Sequence, residues 1–166
     1  MDLSKSERAI LINQYEILKR LDPESDSYYD EKIAILSDGY RIFYDEIARF
    51  EDELSIEDSR LVIDVLSMYR ALESYYREHP DTPALEEYYA RYKGFDGNEE
   101  TDFYAFAEFL TDTQGKFQEQ LDNPEFSNNS HANMLEQYRA MLEVWRGLDG
   151  KYQLTEEQVM AIVTAQ

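Results

Sequence analysis

Residues 55–80 read SIEDSRLVIDVLSMYRALESYYREHP, and this stretch decides the fold class. Leu61, Val62, Val65, Leu66, Met68, Tyr69, Leu72, Tyr75 and Tyr76 recur at helical spacing and cover more than half of the helix circumference. A stripe that wide predicts a central helix packed by several neighbours. Ser55 with Asp58 three residues on supplies an N-cap, and acids sit where the helix dipole favours them. His79-Pro80 ends the segment, because proline has no N–H to continue the helix.

The same periodicity runs outward in both directions. Towards the N-terminus, Ser4 and Glu7 form a capping box. Behind it Ile10, Leu11, Gln14, Ile17, Leu18 and Leu21 make one stripe, expected to be buried, and Asp22-Pro23 stops the helix. A second helix is expected from about Ser27 to Asp38, carrying Tyr29, Ile33 and Leu36, with Gly39 at the left-handed position past its end. A third, Tyr40 to Phe50, places Ile42, Phe43, Ile47 and Phe50 inward.

Towards the C-terminus, a short helix is expected from Pro83 to Tyr92, followed by the turn Gly94-Phe95-Asp96-Gly97. A sixth helix starts near Glu99, carries Phe103, Phe106, Leu110, Phe117 and Leu121, and should kink at Gly115. The stretch from Asp122 to Asn133 is a polar loop. Met134 to Leu148 form a seventh helix with Leu135, Tyr138, Met141, Leu142 and Trp145 on one face. Thr155 and Gln158 cap a last one bearing Val159, Ile162 and Val163, after a short extended piece at Tyr152–Leu154. The expectation is an all-α fold: a multihelical, single-domain orthogonal bundle of about seven to eight helices spanning residues 1–166 around one core.

Composition narrows the function classes. The formal net charge is −20, which repels phosphate backbones and anionic lipids, so no direct nucleic-acid or membrane binding is expected. The same charge suits a protein of a salty or crowded cytoplasm. An alternative reading is an acidic mimic of nucleic acid that occupies a basic groove. There is no cysteine, which removes disulfides, thiolate metal sites and cysteine nucleophiles together. The N-terminal MDLSKSERAILINQYE is charged throughout, unlike a signal peptide, and no stretch has the roughly 18 apolar residues of a membrane span. A cytoplasmic location is expected.

Catalytic and metal patterns are missing from the sequence. The two histidines, His79 and His131, have no carboxylate or second histidine at helical ligand spacing. No GxSxG, GxxxxGK[ST] or GxGxxG motif occurs. Asp96 to Asp102 lacks the alternating acids of a calcium loop and reads as a turn feeding an acid-rich helix start. No catalytic residue, metal or cofactor is expected.

Fourteen tyrosines, paired at 28–29, 75–76 and 88–89, point instead to interfaces, where an apolar body with a polar tip is useful. The broad face of the 61–76 helix suggests a homo-oligomer, a C2 dimer by default, with Tyr69, Tyr75, Tyr76 and Trp145 at the contact. Asn13 and Gln14 share a side of the first helix with Ile10, Ile17 and Leu18, and buried amides there would need partners. A second reading, a small-ligand binder or an enzyme, gathers Arg8, Asn13, Gln14, Asp96 and Tyr138 into a polar site near the Gly94-Phe95-Asp96 turn.

RAILINQYEILKRLDP (8–23), GY (39–40), MYRALE (68–73), KGFDG (93–97), MLEQYRAMLEVWRGL (134–148) and YQLTEEQVMAIV (152–163) together resemble the YfbU family, in order along nearly the whole chain. The matched positions are Arg8, Asn13, Gln14, Tyr15, Tyr40, Tyr69, Gly94, Phe95, Asp96, Tyr138 and Trp145. The resemblance implies a small bacterial cytoplasmic helical protein, brings no established reaction and supplies no catalytic residue. The first functional expectation is therefore a non-enzymatic interaction or regulatory protein.

Overall fold

The computed structural model describes residues 2–47, 53–120, 123 and 126–166. Among them are seven α-helices and no strand: α1 (Lys5–Leu21), α2 (Asp26–Asp38), α3 (Tyr44–Ile47), α4 (Ile56–Glu78), α5 (Thr101–Glu108), α6 (Leu135–Arg146) and α7 (Glu156–Val163). The fold is all-α. The chain divides into two compact units, Met1–Glu53 and Leu54–Gln166.

Local chemistry sets most helix ends. The Ser4 hydroxyl accepts from the Glu7 N–H, and the Glu7 carboxylate accepts from the Ser4 N–H at 2.7 Å, closing both arms of the box. The hydroxyl bond holds the exposed Glu7 carboxyl below the usual glutamate range. Thr155 and Gln158 repeat the device on α7, and Ser55 caps α4 through the Asp58 N–H. Gly39, at φ +75°, closes α2 in the left-handed conformation.

Four expectations need correction. Arg41–Phe43 form a 3-10 turn with Ile42 and Phe43 exposed, and Tyr44 joins the expected Ile47 in facing inward; Phe50 lies outside the described residues. The 83–92 helix is only a 3-10 turn, Pro83–Glu86, because Glu87 turns extended and the chain then inserts Ala90 and Tyr92 into the core. The segment after α5 widens into a π-turn, Phe109–Thr113, where the Thr111 hydroxyl donates back to the Ala107 carbonyl. Left-handed Gly115 and Phe117 then end the helix rather than kink it, and Leu121 lies outside the described residues. Residues 152–154 form a turn and bend, with the Gln153 N–H donating to the Gly150 carbonyl.

The apolar side chains, expected to form one core, gather into two clusters. In the second unit α4 is the hub: ten of its residues are buried against Tyr92, Phe95, Leu110, Tyr138, Trp145, Val159 and their neighbours. In the first unit the buried apolar cluster is Ile35, Leu36, Tyr44 and Ile47, packed by Leu3, Leu11, Ile12 and Tyr15. No residue of α1 is fully buried. The helix packs through Leu11, Ile12 and Tyr15, so the stripe of Ile10, Gln14, Ile17, Leu18 and Leu21 is not the buried one.

Candidate functional site

The Gly94-Phe95-Asp96 turn is tied into the core of the second unit from three sides. Gly94 has φ +86°, and a side chain there would run into the backbone of Asn128 and Ser127. This close approach lets Phe95 pair with the 128–130 segment: its N–H donates to Asn128 O at 2.8 Å and its carbonyl accepts from Ser130 N at 3.0 Å. The Phe95 ring packs edge-on against Tyr138 at 5.3 Å. The Tyr138 hydroxyl donates to Gly94 O at 2.9 Å and accepts from Lys93 N at 3.2 Å. Its acceptor and donor roles are thus both filled inside the fold, and burial raises the pKa of this phenol far above the ordinary value.

Asp96 is buried and closes a local turn, its Oδ1 accepting from Asn98 N at 2.8 Å. Glu100, which the sequence did not single out, is the hub of this region. Its Oε1 accepts from both Met134 N and Leu135 N at 2.7 Å, at the start of α6. Its Oε2 accepts from Asp96 N at 2.9 Å. One buried carboxylate thereby satisfies donors at the helix start and fixes the turn to it. Nothing local marks Glu100 for this role, since its α6 partners lie 34 and 35 residues away.

The remaining residues of the proposed polar site lie in the first unit. Arg8 donates to the Leu36 carbonyl at 2.9 Å, at the end of α2, and Gly39 leaves the room its guanidinium occupies. Asn13 and Gln14 are exposed, so these amides are hydrated rather than buried. Arg8, Asn13 and Gln14 therefore belong to one compact unit and Asp96 and Tyr138 to the other.

The aromatic residues expected at a subunit contact are core residues. Tyr69, Tyr75, Tyr76 and Trp145 are all buried, and Tyr69 and Trp145 are 0% exposed. The Tyr69 hydroxyl donates to Tyr89 O, and the Trp145 indole to Lys151 O at 2.8 Å. Helices α5 and α6, with the segment that carries Tyr89 and Tyr92, cover the face of α4 that periodicity left open. His79 stacks on Tyr75 at 4.2 Å beside a cleft of about 250 Å³ lined by Ser74, Glu78, Tyr152 and Leu154. His131 is exposed in a left-handed turn. Among the described residues no group of three or more His, Asp or Glu is placed to hold a metal ion, and no helix is long and apolar enough to cross a membrane.

Among the described residues, eight of thirteen exposed large hydrophobic residues lie in the first unit: Ile10, Ile17, Leu18 and Leu21 on α1, with Tyr28, Tyr40, Ile42 and Phe43. Ile10, Ile17 and Leu21 share the side of the helix turned away from Leu11, Ile12 and Tyr15, whereas Leu18, seven residues on from Leu11, stands beside the packed side. Ile17 is 57% and Leu21 76% exposed. Ile10, Ile17 and Leu21 thus form an exposed aliphatic row along one helix.

Comparison with known proteins agrees with the sequence resemblance. The model of the YfbU domain matches residues 1–165. A UPF0304 protein of Methanocaldococcus jannaschii is 44% identical over 173 residues, covering 98% of this chain and 99% of its own. A UPF0304 protein of Actinobacillus succinogenes is 30% identical over 165 residues, covering 99% and 100%. With one domain match running nearly end to end and relatives of matching length, this chain belongs to the YfbU family.

Proposed function

We propose that this protein is a non-enzymatic, cytoplasmic interaction protein that works as a homo-oligomer, a dimer in the simplest case, with residues 1–166 acting as one YfbU domain. The observation that carries the reading is the uncovered aliphatic row of α1. Water contact at Ile10, Ile17 and Leu21 is costly, since full burial of each is worth about 1.5–3 kcal/mol. A unit of this size has little core to offset that cost. The family match across both units supports treating the chain as one functional piece. The net charge of −20 argues against direct contact with nucleic acid or an anionic membrane.

Sedimentation velocity over a wide concentration range tests the reading. The expected result is a monomer–dimer equilibrium in the native protein. Ile17→Glu should shift it to monomer while the circular-dichroism spectrum keeps its helical form. A native protein that stays monomeric at the highest concentrations overturns the proposal.

A further inference from the structure

We infer that the partner covering α1 is a second copy of this chain, docked as an antiparallel α1–α1 pair in which Ile10 faces the partner's Leu21 and Gln14 faces the partner's Ile17. The inference rests on the homo-oligomer reading above and adds an occupant, an orientation and a register to it.

Charge selects the occupant. Two copies of a chain at −20 repel over most of their surfaces. α1 is the exception: Arg8 and Lys19 are held within their own unit, by the Leu36 carbonyl and by Asp30, and the remaining charges, Lys5 and Arg20 against Glu7 and Glu16, balance. Among the described helices only α6 is otherwise balanced, with two bases and two acids, and its apolar face of Tyr138, Met141, Leu142 and Trp145 is buried. The contact that costs least in like-charge repulsion is therefore the one that brings the two α1 helices together, and there the aliphatic row is waiting.

Spacing selects the register. Ile10, Gln14, Ile17 and Leu21 alternate by four, three and four, the a/d rhythm of a two-helix seam. The pattern is self-complementary when one copy is reversed, with the two-fold axis passing between Tyr15 and Glu16. The two Gln14 side chains then flank that axis, where a single polar pair in an apolar seam fixes one alignment. Orientation follows from the dipoles, which attract when helices side by side run antiparallel. In a parallel pair Lys5 and Arg20 would instead each stand beside their own copy.

Because the chain has no cysteine, introduced thiols report without background. Ile10→Cys and Leu21→Cys replace exposed side chains, so the fold is not at stake. Under mild oxidation neither single variant should cross-link, because like positions lie roughly 16 Å apart along the pair, beyond disulfide reach. An equimolar mixture of the two should give covalent dimer. Gln14→Leu should keep the dimer in sedimentation but allow like-with-like cross-links. Rapid self-cross-linking of Ile10→Cys means a parallel pair and overturns the inference. A dimer in sedimentation with no cross-link in the mixture also overturns it, while leaving the homo-oligomer reading intact. A monomer throughout sinks both.

Discussion

The backbone N–H of Met134 donates to Oε1 of Glu100 at 2.7 Å, joining the residue before α5 to the residue before α6. The carboxylate is only 2% exposed, so its three backbone donors have no water to turn to. Glu100→Ala should cost about 2–4 kcal/mol, since hydrogen bonds to a charged group are lost and buried donors are left unpaired. Glu100→Gln keeps one acceptor oxygen and should cost less. Urea unfolding of both variants checks the order; equal stability of Glu100→Ala and the native protein would refute it.

Gly94 and Gly115 both have positive φ, at +86° and +62°, yet they should respond differently to alanine. At Gly115 nothing lies within 4 Å of an added Cβ, so only the left-handed backbone is penalised, by about 1–2 kcal/mol. At Gly94 the methyl also meets backbone that cannot move aside, and a loss of about 3 kcal/mol or more is expected. Thermal denaturation of the two variants should place Gly94→Ala well below Gly115→Ala.

Tyr138→Phe removes one hydroxyl that serves two backbone groups of the 93–94 segment. A loss of about 1–2 kcal/mol is expected, with helix content unchanged. Hydrogen exchange at the Lys93 amide should quicken more than elsewhere in the second unit. An unaltered rate at that amide would show that the bond carries no weight.

Alkali should unfold the protein through its buried tyrosines. Burial raises the pKa of Tyr69, Tyr76, Tyr92 and Tyr138 above the ordinary 10.0. Their contribution is fully present below that pH, where the phenols are neutral in both states. It falls as pH rises above 10, because the unfolded chain ionises first, and is lost as the folded values are reached. Tyrosinate absorbance for these four should appear together with loss of helical circular dichroism, not before it.

Moderate salt should raise the melting temperature. At −20, self-repulsion opposes compactness, and screening weakens it. The few attractive ion pairs, such as Lys19–Asp30 and Arg146–Asp64, are at the surface and lose little by screening. A melting curve indifferent to salt up to half-molar would contradict this.

The helix ends were legible because their causes lie within four residues: Ser4 with Glu7, Ser55 with Asp58, Thr155 with Gln158, and Gly39 closing on Ile35. The α4 stripe was legible for a similar reason, since apolar side chains repeated around more than half a helix admit only a central place. α1 shows where periodicity stops deciding. It offers two apolar rows, one through Leu11, Ile12 and Tyr15 and one through Ile10, Ile17 and Leu21, and both keep the helical beat. Only the packing of Ile35, Leu36, Tyr44 and Ile47 chose the first and left the second to solvent.

The sequence by itself therefore determined that this chain is helical, acidic, free of cysteine and a YfbU relative, because composition and i-to-i+4 chemistry are local properties. Tertiary structure alone decided that Tyr69, Tyr75, Tyr76 and Trp145 are core and that Glu100 clasps a helix start 34 residues away. Those outcomes depend on which distant segments close around a side chain, and neighbouring residues carry no record of that.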